Sequence, residues 1–336
     1  MEESISTTSR IILAVARPLL IYSSYVCLIC GLIGNVLNII IVGFLKVFRG
    51  NPSSFYLIVE SFVNCGVLLN AYALRILLSQ FNIDFTRNSI ILCKILAVER
   101  EITVMISLMA ICCEALDQFL VTSHDIARRQ KITLKLAQRM ASINVVVWIL
   151  HSIPFAIFYE ILPSTGCNIS NKYFSLHFSV VYLSLLNGFV PLVVVSLVFS
   201  AFAYRNVRRI IRRQVPHIRR RFDRQMTAIV FSRVALLVSV SIPFGTYLLY
   251  SMNAPGLMGN VLLSAIDQLC SAATSTLFYM NYAGPFYLFL LTSRRFRSQA
   301  KHIFTKKFWK NVFCKRRSDM VVPFNPINPM LNVFSQ

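Results

Sequence analysis

The sequence predicts an all-α membrane protein built as a seven-transmembrane helix bundle. Three observations predict it: the composition, the length of the apolar runs and the placement of the basic residues. Of the 336 residues, 56% are hydrophobic and 14% are charged, whereas a soluble globular chain has about 45–50% apolar and about 25% charged residues. The mean hydropathy is +0.63. This composition favours one membrane-embedded unit over a soluble enzyme or a disordered chain.

Seven apolar runs are long enough to cross a membrane, because roughly 20 apolar residues in a helix span a hydrocarbon core of about 30 Å. Lipid accommodates helices and closed barrels only, and these runs lack the period-two alternation of barrel strands. The sequence therefore predicts seven helices, at about Leu19–Leu45, Phe55–Leu78, Ile90–Val121, Ala141–Leu162, Phe174–Tyr204, Met226–Tyr250 and Leu257–Leu291.

Basic residues concentrate in alternate links between the runs. Most of the 34 Lys and Arg residues lie in the first, third and fifth links and in the segment after the seventh run. The positive-inside rule then places the N-terminus outside and the C-terminus in the cytoplasm, and we expect a multi-pass protein of the plasma membrane. The net charge of +21 would indicate nucleic-acid binding in a soluble protein. Here the charges lie beside anionic lipid head groups instead.

The segments outside the bundle follow from this topology. No short charged segment precedes the first run and no small-residue cleavage site follows it, so we expect a retained helix rather than a signal peptide. The predicted parts are an extracellular tail at 1–18, the bundle at 19–292, a short amphipathic eighth helix at 293–310 and a cytoplasmic tail at 311–336. Aromatic and basic residues alternate along 293–310, which predicts contact with the anionic inner leaflet. Cys314 is a candidate palmitoylation site or an unmodified thiol.

Two of the nine cysteines lie on the predicted outer side. Cys93 begins the third run, and Cys167 lies in the link after the fourth run. Because that side faces an oxidising compartment, we expect the two to form a disulfide. Asn168 begins an N-glycosylation sequon, and the neighbouring bridged cysteine either permits or hinders its modification.

Several further residues stand in a recognisable order and spacing: Gly34-Asn35, Asn64, Asp117-Gln118-Phe119, Trp148, Pro191, Pro243 and Pro285. With the topology and the cysteine pair, they resemble the rhodopsin-like (class A) G-protein-coupled receptor family over roughly Leu20 to Phe304. Asp117-Gln118-Phe119 stands at the place of the family's D-R-Y motif. The resemblance implies a receptor that activates a heterotrimeric G protein, similar to a divergent invertebrate peptide receptor.

The departures from the family pattern concern its activation switches. Val240-Ser241-Ile242-Pro243 replaces C-W-x-P, and Gly284-Pro285-Phe286-Tyr287-Leu288 replaces N-P-x-x-Y. Asn64 replaces an inward Asp of the second helix, which leaves Ser107 and Asn281 of the family's sodium pocket without a carboxylate. We therefore expect weak cation binding there. No metal or cofactor is expected.

Polar residues of the third run recur at helical spacing, at Arg100, Thr103, Ser107, Glu114 and Gln118. Such a stripe is expected to face the bundle interior, because charge is costly in lipid and usually functional or paired. The candidate ligand-binding residues near the outer end are Arg75, Glu99, Arg100, Glu101, Thr103, Glu160 and Asp267. The alternative is that these charges pair with one another, Arg75 or Arg100 with Glu99 or Glu101.

Two ligand classes are disfavoured by the resemblance. Amine receptors of the family use an Asp where this chain has Arg100, which would repel a cation. Opsins need a lysine in the seventh helix, and residues 257–291 contain none, with Phe278 at the expected position. We therefore expect an extracellular peptide or polar ligand, and no retinal.

The candidate coupling and activation residues are Asp117, Gln118, Glu114, Arg233, Asn64, Pro243 and Pro285. Glu114 and Arg233 lie at matching depth in the third and sixth runs, and two unpaired charges there would be costly. We therefore expect them to form an ion pair, with a hydrogen bond from Glu114 to Asn64 as the alternative.

The sequence thus predicts a receptor that converts binding of an extracellular ligand into G-protein activation. The alternative function is a transporter or channel, which would show inverted repeats with broken helices facing each other at midplane. The sequence contains no such pairing of halves. An enzyme is not expected, because the five histidines are dispersed and form no catalytic pattern.

Overall fold

The computed structural model describes residues 2–45, 48, 50–81, 85–123, 125–130, 132–163, 166–178, 189–210, 217–253, 261–303 and 305. Its helices are α1 (Glu2–Phe44), α2 (Pro52–Leu68), α3 (Leu74–Phe81), α4 (Phe85–Asn88), α5 (Ile90–Val121), α6 (Ile126–Gln130), α7 (Leu134–Phe158), α8 (Lys172–His177), α9 (Phe189–Ile210), α10 (His217–Asn253), α11 (Val261–Ala283), α12 (Pro285–Thr292) and α13 (Arg294–Ile303). A π-helical turn, Leu69–Ala73, joins α2 to α3. Strands β1 (Tyr159–Leu162) and β2 (Gly166–Ile169) form an antiparallel hairpin after α7.

Six helical segments of the described chain are long and apolar enough to cross a membrane, at Thr7–Phe44, Pro52–Leu78, Ile90–Val121, Leu134–Phe158, Arg224–Tyr247 and Val261–Ala283. They identify a largely helical, multi-pass membrane protein. The fifth predicted run, 174–204, includes residues 179–188, which lie outside the described part, and α9 is not among the six segments. The seventh crossing therefore stays a prediction.

Local chemistry explains where these helices begin and break. The side chain of Asn51 caps α2 by accepting a hydrogen bond from the Ser53 amide at 2.9 Å, as N-cap residues do. Between α11 and α12, Gly284 approaches the Met280 carbonyl so closely that a Cβ would lie 2.8 Å from its oxygen. Pro285 follows with no amide hydrogen to continue the helix. The seventh predicted run is therefore divided at Gly284 into α11 and α12, whereas α10 continues through Pro243.

Helix α5 lies at the centre of the bundle. It packs against α2, α7, α9 and α10. In its most apolar window 67% of the residues are buried, compared with 22% for α7. Ile111 of α5, Trp148 of α7 and Val234 of α10 belong to one apolar core. Because α5 is surrounded, most of its polar side chains must find partners on other helices.

The disulfide between Cys93 and Cys167 is present, which confirms the predicted pairing. It joins the beginning of α5 to β2, with the two Cα atoms 5.7 Å apart. Gly166 precedes the bridge with φ of +72°, and a Cβ there would lie 2.8 Å from Arg87 Nε. The hairpin is therefore held covalently to the beginning of α5 and packs closely against Arg87 of α4.

The described chain is helical near both of its ends. Helix α1 begins at Glu2, so the segment predicted as an N-terminal tail is helical from residue 2. Helix α13 lies within the segment 293–310, which was predicted to form a short amphipathic helix. Its Phe296, Ala300 and Ile303 are buried at helical spacing. Phe296 contacts Phe289 with ring centroids 5.7 Å apart. Residues 304 and 306–336, with Cys314, lie outside the described part. Lipid contact of α13 stays a prediction.

Replacing either bridged cysteine is expected to destabilise the protein. Cys93→Ser and Cys167→Ser should each lower the free energy of unfolding by about 2–5 kcal/mol, because loss of a native disulfide has that cost. Since each single variant already breaks the same bond, the double variant should be no less stable than either. Thermal unfolding of the purified protein measures this, with the unbridged Cys270→Ser as control. Additive losses from the two single variants would contradict a shared bond.

Candidate functional site: a polar column along α5

Buried polar side chains follow α5 from its disulfide end to its opposite end. We call this set the polar column; each member is less than 9% exposed, and they are Glu60, Asn64, Glu101, Ser107, Glu114, Asp117, Gln118, Arg233 and Asn281. They come from four helices, α2, α5, α10 and α11. A concentration of buried charge within membrane-spanning helices marks a functional site.

Arg233 is the cation of the polar column and is fully buried, with 0% exposure. Its Nε and Nη2 donate to Glu60 Oε1 at 2.8 and 2.5 Å. Its Nη1 donates to Asn281 Oδ1. One guanidinium therefore joins α10 to α2 and to α11. Hydrogen bonds to both partners offset the cost of removing the charge from water.

The predicted ion pair between Glu114 and Arg233 is absent, because Glu60 of α2 occupies the guanidinium instead. The alternative prediction, a hydrogen bond from Glu114 to Asn64, was also wrong. Asn64 accepts from Ser107 Oγ at 2.7 Å, and its amide nitrogen lies 3.5 Å from Glu60 Oε1. Neither carboxyl oxygen of Glu114 has a hydrogen-bond partner among the described residues.

Sequence reasoning missed Glu60. Its signal was available, because a carboxylate in an apolar run of membrane length is unusual. Glu60 lies one helical turn before Asn64 and therefore on the same face of α2. It also corrects the expectation that Asn281 and Ser107 lie in a region without a carboxylate. A carboxylate is present there, and Arg233 neutralises it.

A hydrogen-bond chain closes the end of the polar column opposite to the disulfide. Thr227 Oγ1 of α10 donates to Gln118 Oε1 at 3.1 Å, and Gln118 Nε2 donates to Ser53 Oγ at 2.6 Å. Ser53 in turn donates to Asp117 Oδ2. Gln118 can connect the two neighbours because an amide both donates and accepts, whereas an arginine only donates. Asp117 and Gln118 thus lie together near the end of α5, as predicted.

The predicted ligand residues of α5 do not share one face. Arg100 is exposed and donates from Nη2 to the Tyr159 hydroxyl at 3.0 Å. Glu101 is 8% exposed, and its Oε1 has no partner within the described chain. Glu99 accepts a hydrogen bond from Asn70 of the π-helical turn. The expectation that Arg100 belongs to the buried stripe was wrong, because the adjacent Glu101 points inward instead.

Glu99 and Thr103 approach α2 and line a separate groove. A Cβ at Gly66 of α2 would lie 3.1 Å from Glu99 Oε1 and 3.3 Å from Thr103 Cγ2. The Thr103 hydroxyl donates to the Glu99 carbonyl at 2.8 Å within its own helix. The groove has a volume of about 430 Å³, and Lys94 and Ala156 also line it. The side chains of Glu99 and Thr103 therefore face this groove, which the Arg100 side chain does not line.

The remaining predicted ligand residues have aromatic or exposed surroundings. The Arg75 guanidinium lies 5.6 Å from the ring centroid of Tyr72, a cation–π distance. Asp267 Oδ1 accepts from the Tyr247 hydroxyl at 3.1 Å. Glu160 is exposed on β1 and pairs in register with Asn168, which is also exposed. The hydrogen bonds found for Arg100 and Glu99 go to Tyr159 and Asn70, so the predicted ion pairs among these charges are not formed in the described structure.

Breaking the Glu60–Arg233 pair from one side is expected to be costly. Glu60→Gln and Arg233→Met should each lower the free energy of unfolding by about 3–5 kcal/mol, because one buried charge loses its partner. The double variant Glu60→Met/Arg233→Met should recover most of that loss, since it leaves no charge behind. Thermal unfolding measures the effect. Asp267→Asn, which alters one partly buried hydrogen bond, is the matched control, and equal stability of control and single variants would contradict the pair.

Comparison of the chain with protein-family models and with curated proteins finds no match. The polar column and the sequence motifs therefore carry the functional assignment.

Proposed function

We propose that the chain is a G-protein-coupled receptor of the plasma membrane, with its N-terminus outside. It would convert binding of an extracellular peptide or polar small molecule into activation of a heterotrimeric G protein. The motif resemblance and the multi-pass helical fold support this proposal. The observation that carries it is the hydrogen-bond chain from Thr227 through Gln118 and Ser53 to Asp117.

The hydrogen-bond chain provides a contact that activation can break. It joins α10 to α5 and α2 at the end of the bundle opposite to the disulfide. A ligand that favours a conformer with α10 moved away would shift the population toward that conformer. A G protein that binds the same conformer is then coupled to the ligand, and the coupling is reciprocal.

The ligand would bind at the disulfide end, where charged and aromatic side chains meet. Arg100 is exposed there, and its guanidinium already bonds Tyr159. Tyr247 lies near the end of α10 and Asp267 near the beginning of α11, and the hydrogen bond between them joins the two helices. An exposed arginine attracts an anionic group and repels an amine. Phe278 stacks on Phe244 with centroids 4.4 Å apart, where an opsin would need a lysine.

The hydrogen bond between Gln118 and Thr227 is expected to restrain basal signalling. Gln118→Ala and Thr227→Val should each raise basal nucleotide exchange about fivefold, because a typical hydrogen bond contributes about 1 kcal/mol. Because both single variants remove the same hydrogen bond, basal nucleotide exchange in the double variant should not exceed that of either single variant. Ser239→Ala, an exposed serine of α10 that bonds its own helix, is the control. Unchanged basal exchange in well-expressed single variants would show that the bond has no such role.

A transporter or channel is the second candidate function, and one observation favours it. Glu101 and Glu114 lie buried in the polar column with carboxyl oxygens that have no partner in the described chain. Buried ionisable groups of this kind also occur along ion pathways. The candidate therefore needs a direct test.

Reconstitution distinguishes the two functions. The purified chain in liposomes should catalyse guanine-nucleotide exchange on added G proteins during a screen of peptide libraries. It should not carry cations across the liposome membrane under an imposed gradient, because the positively charged guanidinium of Arg233 lies between Glu60 and Asn281. Ion flux without nucleotide exchange would reverse the assignment.

A further inference from the structure

We infer that Glu114 is a proton-binding site, and that release of its proton lets Glu114 compete with Glu60 for Arg233. The proposal concerns the polar column itself and goes beyond the receptor function. The proton is the proposed ligand of Glu114, whose two predicted partners, Arg233 and Asn64, were both wrong.

The geometry around Glu114 leaves its carboxyl group without stabilisation as an anion. Its exposure is 0%, and neither Oε1 nor Oε2 has a hydrogen-bond partner in the described part of the chain. The charged groups that act on it are Glu60 of α2, Asp117 of its own helix and Arg233 of α10. An ionised carboxylate buried without a partner is very costly, whereas a neutral carboxyl is not.

The count of charges supports the same conclusion. Glu60, Glu114 and Asp117 are buried carboxyl groups in a region whose buried cation, within the described chain, is Arg233, so full ionisation of the three would leave two uncompensated negative charges inside the membrane. Arg233 is already bonded to Glu60 and Asn281. Asp117 accepts a hydrogen bond from Ser53. Glu114 is the member of the three with no donor recorded, and it is therefore the one that should hold a proton.

A proton is the cation that fits this site. Within the described residues, no group of three His, Cys, Asp or Glu side chains is placed to hold a metal ion. The Glu114 carboxyl group alone gives a metal ion too few ligands, because the Glu60 and Asp117 carboxylates are already bonded to Arg233 and Ser53. A proton needs one oxygen.

Release of the proton would change the balance between two partners of Arg233. While Glu114 is neutral, Glu60 is the better acceptor and holds α10 to α2. Once Glu114 is ionised, it attracts the same guanidinium and draws α10 toward α5. Proton occupancy thus selects which helix Arg233 joins, and the Glu114–Arg233 pair becomes the contact of the deprotonated state.

Infrared spectroscopy of the full chain in lipid vesicles tests the proton directly. At about pH 6, below the range in which buried glutamates release protons, the wild-type spectrum should contain a carboxylic-acid carbonyl band. Glu114→Gln, which has the same shape and no titratable proton, should reduce the intensity of that band, and Glu101, a second buried carboxyl with an unpartnered oxygen in the described chain, is the source of any band that remains. Asp267→Asn, which alters a partly buried carboxylate bonded to Tyr247, should leave the band at its wild-type intensity. A wild-type spectrum without the band, or a band of unchanged intensity in Glu114→Gln, would overturn the proposal.

Thermal unfolding gives a second readout that does not depend on signalling. The folded state binds a proton that the unfolded state has lost, so stability should fall as the pH rises. From about pH 6 to about pH 9, the wild-type melting temperature should decrease more than that of Glu114→Gln. If Glu114→Gln does not fold, Glu114→Leu replaces it in both experiments. Parallel pH profiles for wild type and variant would overturn the proposal even where receptor activity is intact.

Discussion

A guanidinium buried in a membrane-spanning bundle constrains everything around it. Arg233 is fully buried, and its charge is tolerable only because Glu60 and Asn281 both accept from it. These partners lie on helices far apart in sequence, so the ion pair fixes the positions of α2, α10 and α11 relative to one another. Removing one partner leaves a charge in a region that cannot solvate it. The bundle therefore depends on this contact more than on any single apolar pair.

Helix α5 combines two constraints of different kinds at its two ends. The disulfide between Cys93 and Cys167 is covalent and keeps the hairpin on one end. The bonds of Gln118 to Thr227 and Ser53 hold the other end, and each contributes only about 1 kcal/mol. A covalent bond persists through conformational change, whereas hydrogen bonds of this size exchange readily. Movement is therefore expected at the end of α5 that Gln118 occupies.

The sequence predicted the helical membrane fold and the disulfide, because run length and hydropathy indicate membrane helices, and Cys93 and Cys167 stand beside the ends of such runs. It predicted side-chain direction on α5 less well. Adjacent residues point about 100° apart on a helix, so an error of one position exchanges Arg100 for Glu101 as the inward residue. Partners were harder still, since Glu60 and Glu114 lie at similar depth and only packing decides which one reaches Arg233. The hairpin after α7 also departs from the all-α prediction, because the disulfide and the turn at Gly166 stabilise it.

The glutamine at position 118 and the arginine at position 233 are best understood together. Near the end of α5, this chain has at position 118 an amide that accepts from Thr227, which an arginine could not do. The cation lies instead on α10, and its carboxylate lies on α2 rather than beside it on α5. Asp117, left without an adjacent cation, takes a hydroxyl donor from Ser53. A guanidinium this deep in the bundle requires a second acceptor, which Asn281 supplies, and Glu114 therefore lies near a guanidinium that is already occupied.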